Sequence, residues 1–239
     1  MAFKILNGAI FLGDAHANKN RQEFYDFLQD LSSREILPPQ IFFLGDMFDF
    51  LANTRFAQKF YKKEIALINE ISKKTEIFYF EGNHDFNLKN IFPNVKIFSN
   101  KMQPVGFETP NNKIVQIAHG DIFLPPLTQK FLLFLRNKIF LYFMNLLDFL
   151  LFFKISKAIL KKQSEKKLYK KIIDFEKYIK PKIHKYNADI VIEGHYHQDE
   201  ILNFEDKIYI NLNSFAIEKK IYEAGTENNK FKLFGKNLV

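Results

Sequence analysis

Short apolar runs recur along the chain and end in polar clusters, at 9–12, 41–44, 77–80, 114–118, 190–192 and 208–212. Each has strand length and is rich in β-branched or aromatic residues, the composition of a buried strand. Helical spacing fills the gaps between the early runs. Phe24, Phe27, Leu28 and Leu31 form one stripe, and Phe56, Phe60, Ile65, Leu67, Ile68 and Ile71 form a second, less regular one. This alternation predicts an α/β architecture with strands covered by helices.

The stretch 125–185 breaks the pattern. Its first part, 131–153, is almost entirely Phe, Leu, Ile, Tyr and Met, interrupted by Arg136, Asn137, Lys138, Asn145 and Asp148. Its length alone would span a bilayer. Each charge at the centre of such a span costs roughly 2.5–3.5 kcal/mol, however. A span would also separate the runs 114–118 and 190–192. On a helical wheel Lys138, Tyr142 and Asn145 share one narrow side, with Asp148 near it, and most of the remaining surface is apolar. Such a segment is either deeply packed or offers apolar area to lipid. The second part is lysine-rich, with apolar positions at Ile159, Leu168, Ile172, Phe175 and Ile179, and Pro181 is expected to end it. The whole reads as a helical insertion, 125–185, within a single domain spanning 1–239.

Charge sharpens this picture. The chain carries a formal net charge of +8, and twelve lysines against three acids between 154 and 185 account for more than all of it. A basic patch so local implies an acidic partner at one place: phosphate, anionic lipid or nucleic acid. There is no cysteine, which excludes disulfides and thiolate metal sites and fits the cytoplasm. Any metal must be held by His, Asn and carboxylates, a donor set suited to Mn, Fe or Mg, or to Zn through His. Near the N-terminus, Lys4, a short apolar run and Ala15-His16-Ala17 mimic a cleavable leader. Asn7 and Gly8 break the run, and cleavage would remove Asp14 and His16, so no leader is expected.

Five segments carry the candidate chemistry. They are Gly13-Asp14-Ala15-His16, Gly45-Asp46-Met47-Phe48-Asp49, Gly82-Asn83-His84-Asp85, His119-Gly120-Asp121 and Gly194-His195-Tyr196-His197. Each follows an expected strand, and ligand-binding groups of α/β sheets gather at the carboxyl ends of strands. Five distant segments would therefore converge on one crevice. Asp14 and His16 can chelate one ion, Asp46 has two oxygens and can bridge two, Asn83 offers a carbonyl oxygen, and His119, His195 and His197 offer imidazoles. A pair of divalent ions so held could grip a phosphoryl group and activate water.

The series D-x-H, G-D-x-x-D, G-N-H-D, H-G-D and G-H-x-H, in this order from Asp14 to His197, resembles the calcineurin-like metallophosphoesterases. Each motif is weak alone; together they are specific. The resemblance implies a four-layer αββα sandwich of helices outside two mixed sheets. It assigns Asp14, His16, Asp46 and His197 to a first ion and Asp46, Asn83, His119 and His195 to a second. His84 would sit beside the substrate phosphate as acid or electrostatic stabiliser, and Asp49 or Asp85 would orient a histidine. The same fold also serves as a non-catalytic interaction module in relatives that have lost ligands; none is lost here.

An insertion between H-G-D and G-H-x-H, hydrophobic first and basic after, is similar to that of the UDP-2,3-diacylglucosamine diphosphatases of lipid A biosynthesis. That resemblance implies two Mn ions, an acylated sugar nucleotide as substrate, release of UMP and 2,3-diacylglucosamine 1-phosphate, and residence at the cytoplasmic face of the inner membrane on an anionic surface. It also suggests that Asn83, Lys161, Ser164 and Lys171 contact substrate. Nucleic acid and an obligate protein partner are not expected. One departure stands out: the best-known branch has G-N-R-D where this chain has G-N-H-D, so His84 marks either a divergent branch or a soluble phosphodiesterase or phosphatase acting on nucleotides or nucleic acid.

Overall fold

The computed structural model describes residues 3–238. Its strands are β1 (Phe3–Lys4), β2 (Ile10–Leu12), β3 (Gln40–Phe43), β4 (Glu76–Phe80), β5 (Lys96–Phe98), β6 (Val105–Glu108), β7 (Ile114–Ala118), β8 (Ile190–Glu193), β9 (Glu200–Phe204), β10 (Lys207–Asn211), β11 (Lys220–Glu227) and β12 (Lys230–Asn237). The helices are α1 (Glu23–Ser33), α2 (Arg55–Phe60), α3 (Lys62–Ile71), α4 (Pro126–Leu135), α5 (Lys138–Leu150), α6 (Lys154–Ser164), α7 (Phe175–Ile183) and α8 (Phe215–Glu218). One sheet runs β12-β11-β2-β3-β4-β5 and the other β1-β6-β7-β8-β10-β9. Neighbours from β2 to β5 are parallel, as are β7, β8 and β10, so their carboxyl ends lie together in each sheet.

Period-2 alternation sorts the apolar strands onto two cores. On β3, Ile41 and Phe43 pack under α1 and α3 with Phe24, Leu28, Leu31 and Ile68. Phe42, with Phe11 and Phe78, faces the opposite sheet and its Phe107, Ile117 and Ile192. The Phe42 ring stacks on Phe11 at 4.2 Å and on Phe78 at 4.7 Å between centroids. Outside the second sheet, Phe175, Ile179 and Ile183 of α7 cover Val191 and Tyr209. The result is helix, sheet, sheet, helix: the expected four-layer mixed α/β sandwich.

All six expected strands are present to within about a residue at each end. The irregular stripe is irregular because it belongs to two helices, α2 and α3, broken at Tyr61. Two expectations are corrected. The stripe through Ile159 and Ile179 is not one helix: α6 stops at Ser164, and Leu168 and Ile172 lie in an open segment before α7. Pro181 lies inside α7 and does not end it; it sits in the last turn, where a missing N–H forfeits a single hydrogen bond. Within 125–185, α7 is therefore the outer layer of the sandwich, and α4 to α6 form the cap.

The apolar stretch of the cap is also divided. Asn137 caps α5 by accepting from the amides of Ile139 and Phe140, so α4 and α5 meet at an elbow. No single helix among the described residues is long and apolar enough to cross a membrane. On α5 the narrow polar side is divided: Asn145 and Asp148 face the protein, while Lys138 and Tyr142 are exposed. Asp148 is buried and caps α6 by accepting from the amides of Ile155 and Ser156, while Asn145 accepts from the Arg55 amide at 3.0 Å. The apolar side faces outward, with Ile139 69% and Phe143 63% exposed.

The stacked phenylalanines make the inter-sheet layer sensitive to voids. Phe42→Ala is expected to lower unfolding free energy by about 3–5 kcal/mol, read from the urea midpoint at unchanged m-value.

Candidate active site

The five motif segments leave β2, β3, β4, β7 and β8 and turn at once. Five of the side chains they carry sit on left-handed backbone: Asp14 (φ 55°), His16 (44°), Asp46 (50°), His195 (64°) and His197 (58°). This region is costly for residues with a Cβ and clusters at functional sites. Hydrogen bonds between loops hold it. The Asp14 amide donates to the Gly45 carbonyl and the His16 amide to the Asp46 carbonyl, both at 2.9 Å. The His195 amide donates to Asp14 Oδ2 at 2.8 Å, and the Ser214 hydroxyl to the Asp14 carbonyl at 2.7 Å. Gly45, with φ 82°, lies where a Cβ would strike the His119 ring, so only glycine fits.

The side chains meet in overlapping groups. Asp14, His16 and His197 form one, Asp46, His119 and His195 another, and His16, Asp46 and His84 a third between them; the donor atoms within each lie within 4.8 Å of one another. Asp46 Oδ2 is 3.5 Å from His119 Nε2 and 4.0 Å from His84 Nε2. Three imidazoles are oriented by main-chain carbonyls, which accept only. Nδ1 of His119 donates to Leu44 (2.6 Å), Nδ1 of His84 to Asp49 (2.8 Å), and Nδ1 of His197 to Leu168 (2.9 Å). Each Nε2 is thereby left for the site.

Buried atoms without partners show what the site is built to hold. Asp14 Oδ1, Asn83 Oδ1 and His119 Nε2 are all buried with no hydrogen-bond partner. Such orphans are rare unless an ion or water completes them. Ionisation agrees. Burial opposes charge on Asp46, but His119 and His84 hold its carboxyl well below the usual carboxylate range. Burial, reinforced by His119, pushes His195 down to about 4, and burial also lowers His16, leaving both imidazoles neutral at neutral pH. Ionised carboxylates and neutral imidazoles are the forms that bind divalent cations; at His119 and His197, burial is outweighed by the Asp46 and Asp14 carboxylates, which raise both imidazoles, so each gives up a proton to an entering ion. The residues present fit a pair of divalent ions: Asp14, His16 and His197 on one side, His119, His195 and Asn83 on the other, with Asp46 shared.

The family model of the calcineurin-like phosphoesterases matches residues 9–199, from the first of these strands past the last ligand. The chain belongs to that family. Calcineurin-like phosphoesterases are metal-dependent hydrolases, and this chain is one. A UDP-2,3-diacylglucosamine hydrolase of Shewanella halifaxensis is 30% identical over 84 residues, a match spanning 35% of each protein. Among solved structures, a novel archaeal phosphodiesterase is 14% identical with a TM-score of 0.44, covering 95% of this chain and 99% of its own. Vacuolar protein sorting 29 of Cryptosporidium parvum is 10% identical with a TM-score of 0.42, covering 96% of each.

Around the calcineurin-like centre, the two expected orienting carboxylates divide the work. Asp49 stands 3.4 Å from His16 Nδ1 and is itself held by Asn18 (2.5 Å) and the Arg21 guanidinium (2.6 and 2.7 Å). Asp85 orients main chain rather than a histidine. It accepts from the amides of Asp46, Met47 and Gly82 and from the Tyr79 hydroxyl at 2.6 Å, pinning the two loops that carry Asp46 and Asn83. Sequence reading missed Asn18, Arg21 and Tyr79. Tyr79 left a signal, because a lone hydroxyl in the strand Glu-Ile-Phe-Tyr-Phe must find a buried partner. Of the expected substrate contacts, Asn83 reaches the site. Lys161 and Lys171 are exposed, and the Ser164 hydroxyl donates to the Lys161 carbonyl. The α6 side chains that reach the crevice are Ile155, Ser156, Ile159 and Gln163.

A manganous ion at a hundredfold excess over its dissociation constant is expected to stabilise the protein by about 2.7 kcal/mol, a rise in Tm of roughly 5–10 °C for a chain of this size. Thermal melts with Mn and with a chelator measure it. Asp46→Asn is expected to abolish most of the rise and to lower the bound metal found by elemental analysis.

Proposed function

We propose that the chain hydrolyses the pyrophosphate of UDP-2,3-diacylglucosamine to UMP and 2,3-diacylglucosamine 1-phosphate, with Mn as its metal, while resting on an anionic membrane at the cytoplasmic face. The observation that carries this reading is a cavity of about 370 Å³ walled both by metal-site loops and by the cap. The loops contribute Asp49, Asn83 and His84, and the cap contributes mainly Leu132, Leu135, Phe140, Met144, Ile155 and Ile159, with Asn145, Asp148, Ser156 and Gln163 among them. A phosphate at the metal residues and an aliphatic chain on the same molecule would match the two walls. Each methylene buried contributes roughly 0.8 kcal/mol. The partial likeness to the Shewanella enzyme supports the same substrate.

The outside of the cap supports the membrane. Leu127, Ile139, Phe143 and Phe152 are 83%, 69%, 63% and 78% exposed, and large apolar side chains gathered on one exposed element mark a surface for interaction. Lys154, Lys157, Lys161 and Lys162 follow on α6, and each basic residue near an anionic leaflet contributes about 1 kcal/mol. Apolar burial flanked by lysines is the combination that holds interfacial helices on such surfaces.

The bound ions supply Lewis acidity toward a phosphoryl oxygen and a more acidic water. The side chains do the rest. With Nδ1 committed to the Asp49 carbonyl, His84 presents Nε2 to the mouth of the cavity. That atom can stabilise charge on the phosphoryl group or hold a proton for the departing oxygen. Histidine here, in place of arginine, permits proton transfer where arginine permits only charge stabilisation. Asn83 sits between the metal residues and the cavity, and the cap excludes water from the apolar end.

The expected outcome is Mn-stimulated release of UMP from the lipid nucleotide and flotation with anionic vesicles. His84→Ala is expected to lower kcat about 10²–10⁴-fold. Met144→Trp, which fills the cavity, should raise KM for the lipid while hydrolysis of bis(p-nitrophenyl) phosphate persists. Phe143→Glu with Phe152→Glu should abolish flotation. Metal-loaded activity on the simple diester with none on the lipid, and no flotation, would favour a soluble phosphodiesterase.

A further inference from the structure

The cap is tied to the metal loops through one buried arginine. Helices α4 to α6 bury few of their own residues: none on α4, Asp148 on α5, Ser156 and Leu160 on α6. Their position thus rests on a small set of polar junctions, the arrangement expected of a mobile element. Arg136, at the C-cap of α4, forms the deepest of these, with its side chain 8% exposed. Its Nη2 donates to the Gly82 carbonyl at 2.9 Å and to Asp121 Oδ2 at 2.5 Å. Gly82 precedes the ligand Asn83, and Asp121 follows the ligand His119 by two residues. One guanidinium nitrogen therefore holds two of the loops that supply the Asn83, His119 and His195 side of the metal centre.

Neighbouring contacts close the junction. Asn100 donates to Asp121 Oδ1 at 3.0 Å and accepts from Gln129 of α4 at 3.0 Å. Asn87, four residues beyond Asn83, donates to the Arg136 carbonyl at 2.8 Å. The other side of the Gly82 loop has no slack: a Cβ on Gly82 would collide with the Asp46 carboxylate, and the Gly82 amide is held by Asp85 at 2.9 Å. A shift of the elbow must move this loop or break the Arg136 contacts. Meanwhile Nε and Nη1 of Arg136 are buried without partners. Packing alone gives no reason to keep so incompletely satisfied a cation inside.

We infer that Arg136 is a positioning residue that couples occupancy of the cap to the geometry of the Asn83 and His119 loops, so that an amphiphile seated under the cap raises the activity of the metal centre. The coupling rests on the cap cavity being a site for apolar chains. It does not require the sugar nucleotide, and any amphiphile that fills the cavity should serve.

The test uses full-length protein, saturating Mn, bis(p-nitrophenyl) phosphate as a substrate too small to need the cap, and dodecyl maltoside micelles as the amphiphile. Wild type should show at least about fivefold stimulation of kcat by micelles, the lower range of ordinary coupling. Arg136→Lys keeps the charge beside Asp121 but lacks the fork that reaches two acceptors. It should lose the stimulation, bind Mn roughly tenfold more weakly or worse, and keep its micelle binding. Should Arg136→Lys fail to fold, Asn87→Gly decides: glycine accepts the left-handed backbone of residue 87 (φ 58°) and removes the bond to the Arg136 carbonyl, and the stimulation should shrink. No stimulation in wild type, or equal stimulation in wild type and the folded variants, would overturn the inference. Stimulation without UMP release from the lipid nucleotide would leave the coupling standing and sink only the substrate assignment.

Discussion

A carboxylate buried where two sheets end can remain ionised only if cations or strong donors meet it, and Asp46 is that carboxylate. Burial works against its charge, and the histidines around it restore the balance. The consequences run outward through the fold. Asp46 sits on left-handed backbone, which needs glycine before it and a second carboxylate, Asp85, beneath it. Asp85 in turn fixes Gly82 and so the path to Asn83 and His84. The parallel strands, the phenylalanine layer between the sheets and the helices outside them provide the rigid frame on which these loops can be held off their relaxed geometry.

Much of this frame was legible in the sequence because parallel strands buried on both faces appear as continuous apolar runs. The motif loops were legible because metal chemistry restricts residue type. The strands that escaped notice are of another kind. β5 and β6 are only partly buried, β9 alternates half-buried and exposed positions, β12 exposes most of one face, and β11 carries lysine and glutamate between its apolar residues. Their pairing depends on neighbours distant in sequence. The supporting residues were hidden for a similar reason. Nothing near Arg136 in sequence tells that its guanidinium ends at Gly82 and Asp121, and Asp148 in an apolar helix reads as an interruption until α6 is seen folding back onto it.

The cap inverts the usual rule for a surface helix. Two of its polar residues serve the protein, Asp148 capping α6 and Asn145 catching α2, while many of its apolar residues are left to whatever lies outside. Such a helix gains little by folding against the body in water, so the body holds it at a few polar points while the hydrophobic effect favours covering its outer face. The same element thus supplies an apolar inner wall beside the phosphate site and an apolar outer wall beside the basic helix. Under the proposed function, a substrate with fatty chains and a charged head would meet an apolar wall and the metal residues within one cavity.

One contact has an implication for how such enzymes diverge. His197 is anchored by the carbonyl of Leu168, in the open lysine-rich stretch between cap and sandwich. A main-chain acceptor is blind to the side chain that bears it. The exposed lysines of that connector can therefore be exchanged without loss of the contact, provided the chain keeps its course past the imidazole. The surface charge beside the cap can change without renegotiating the metal centre.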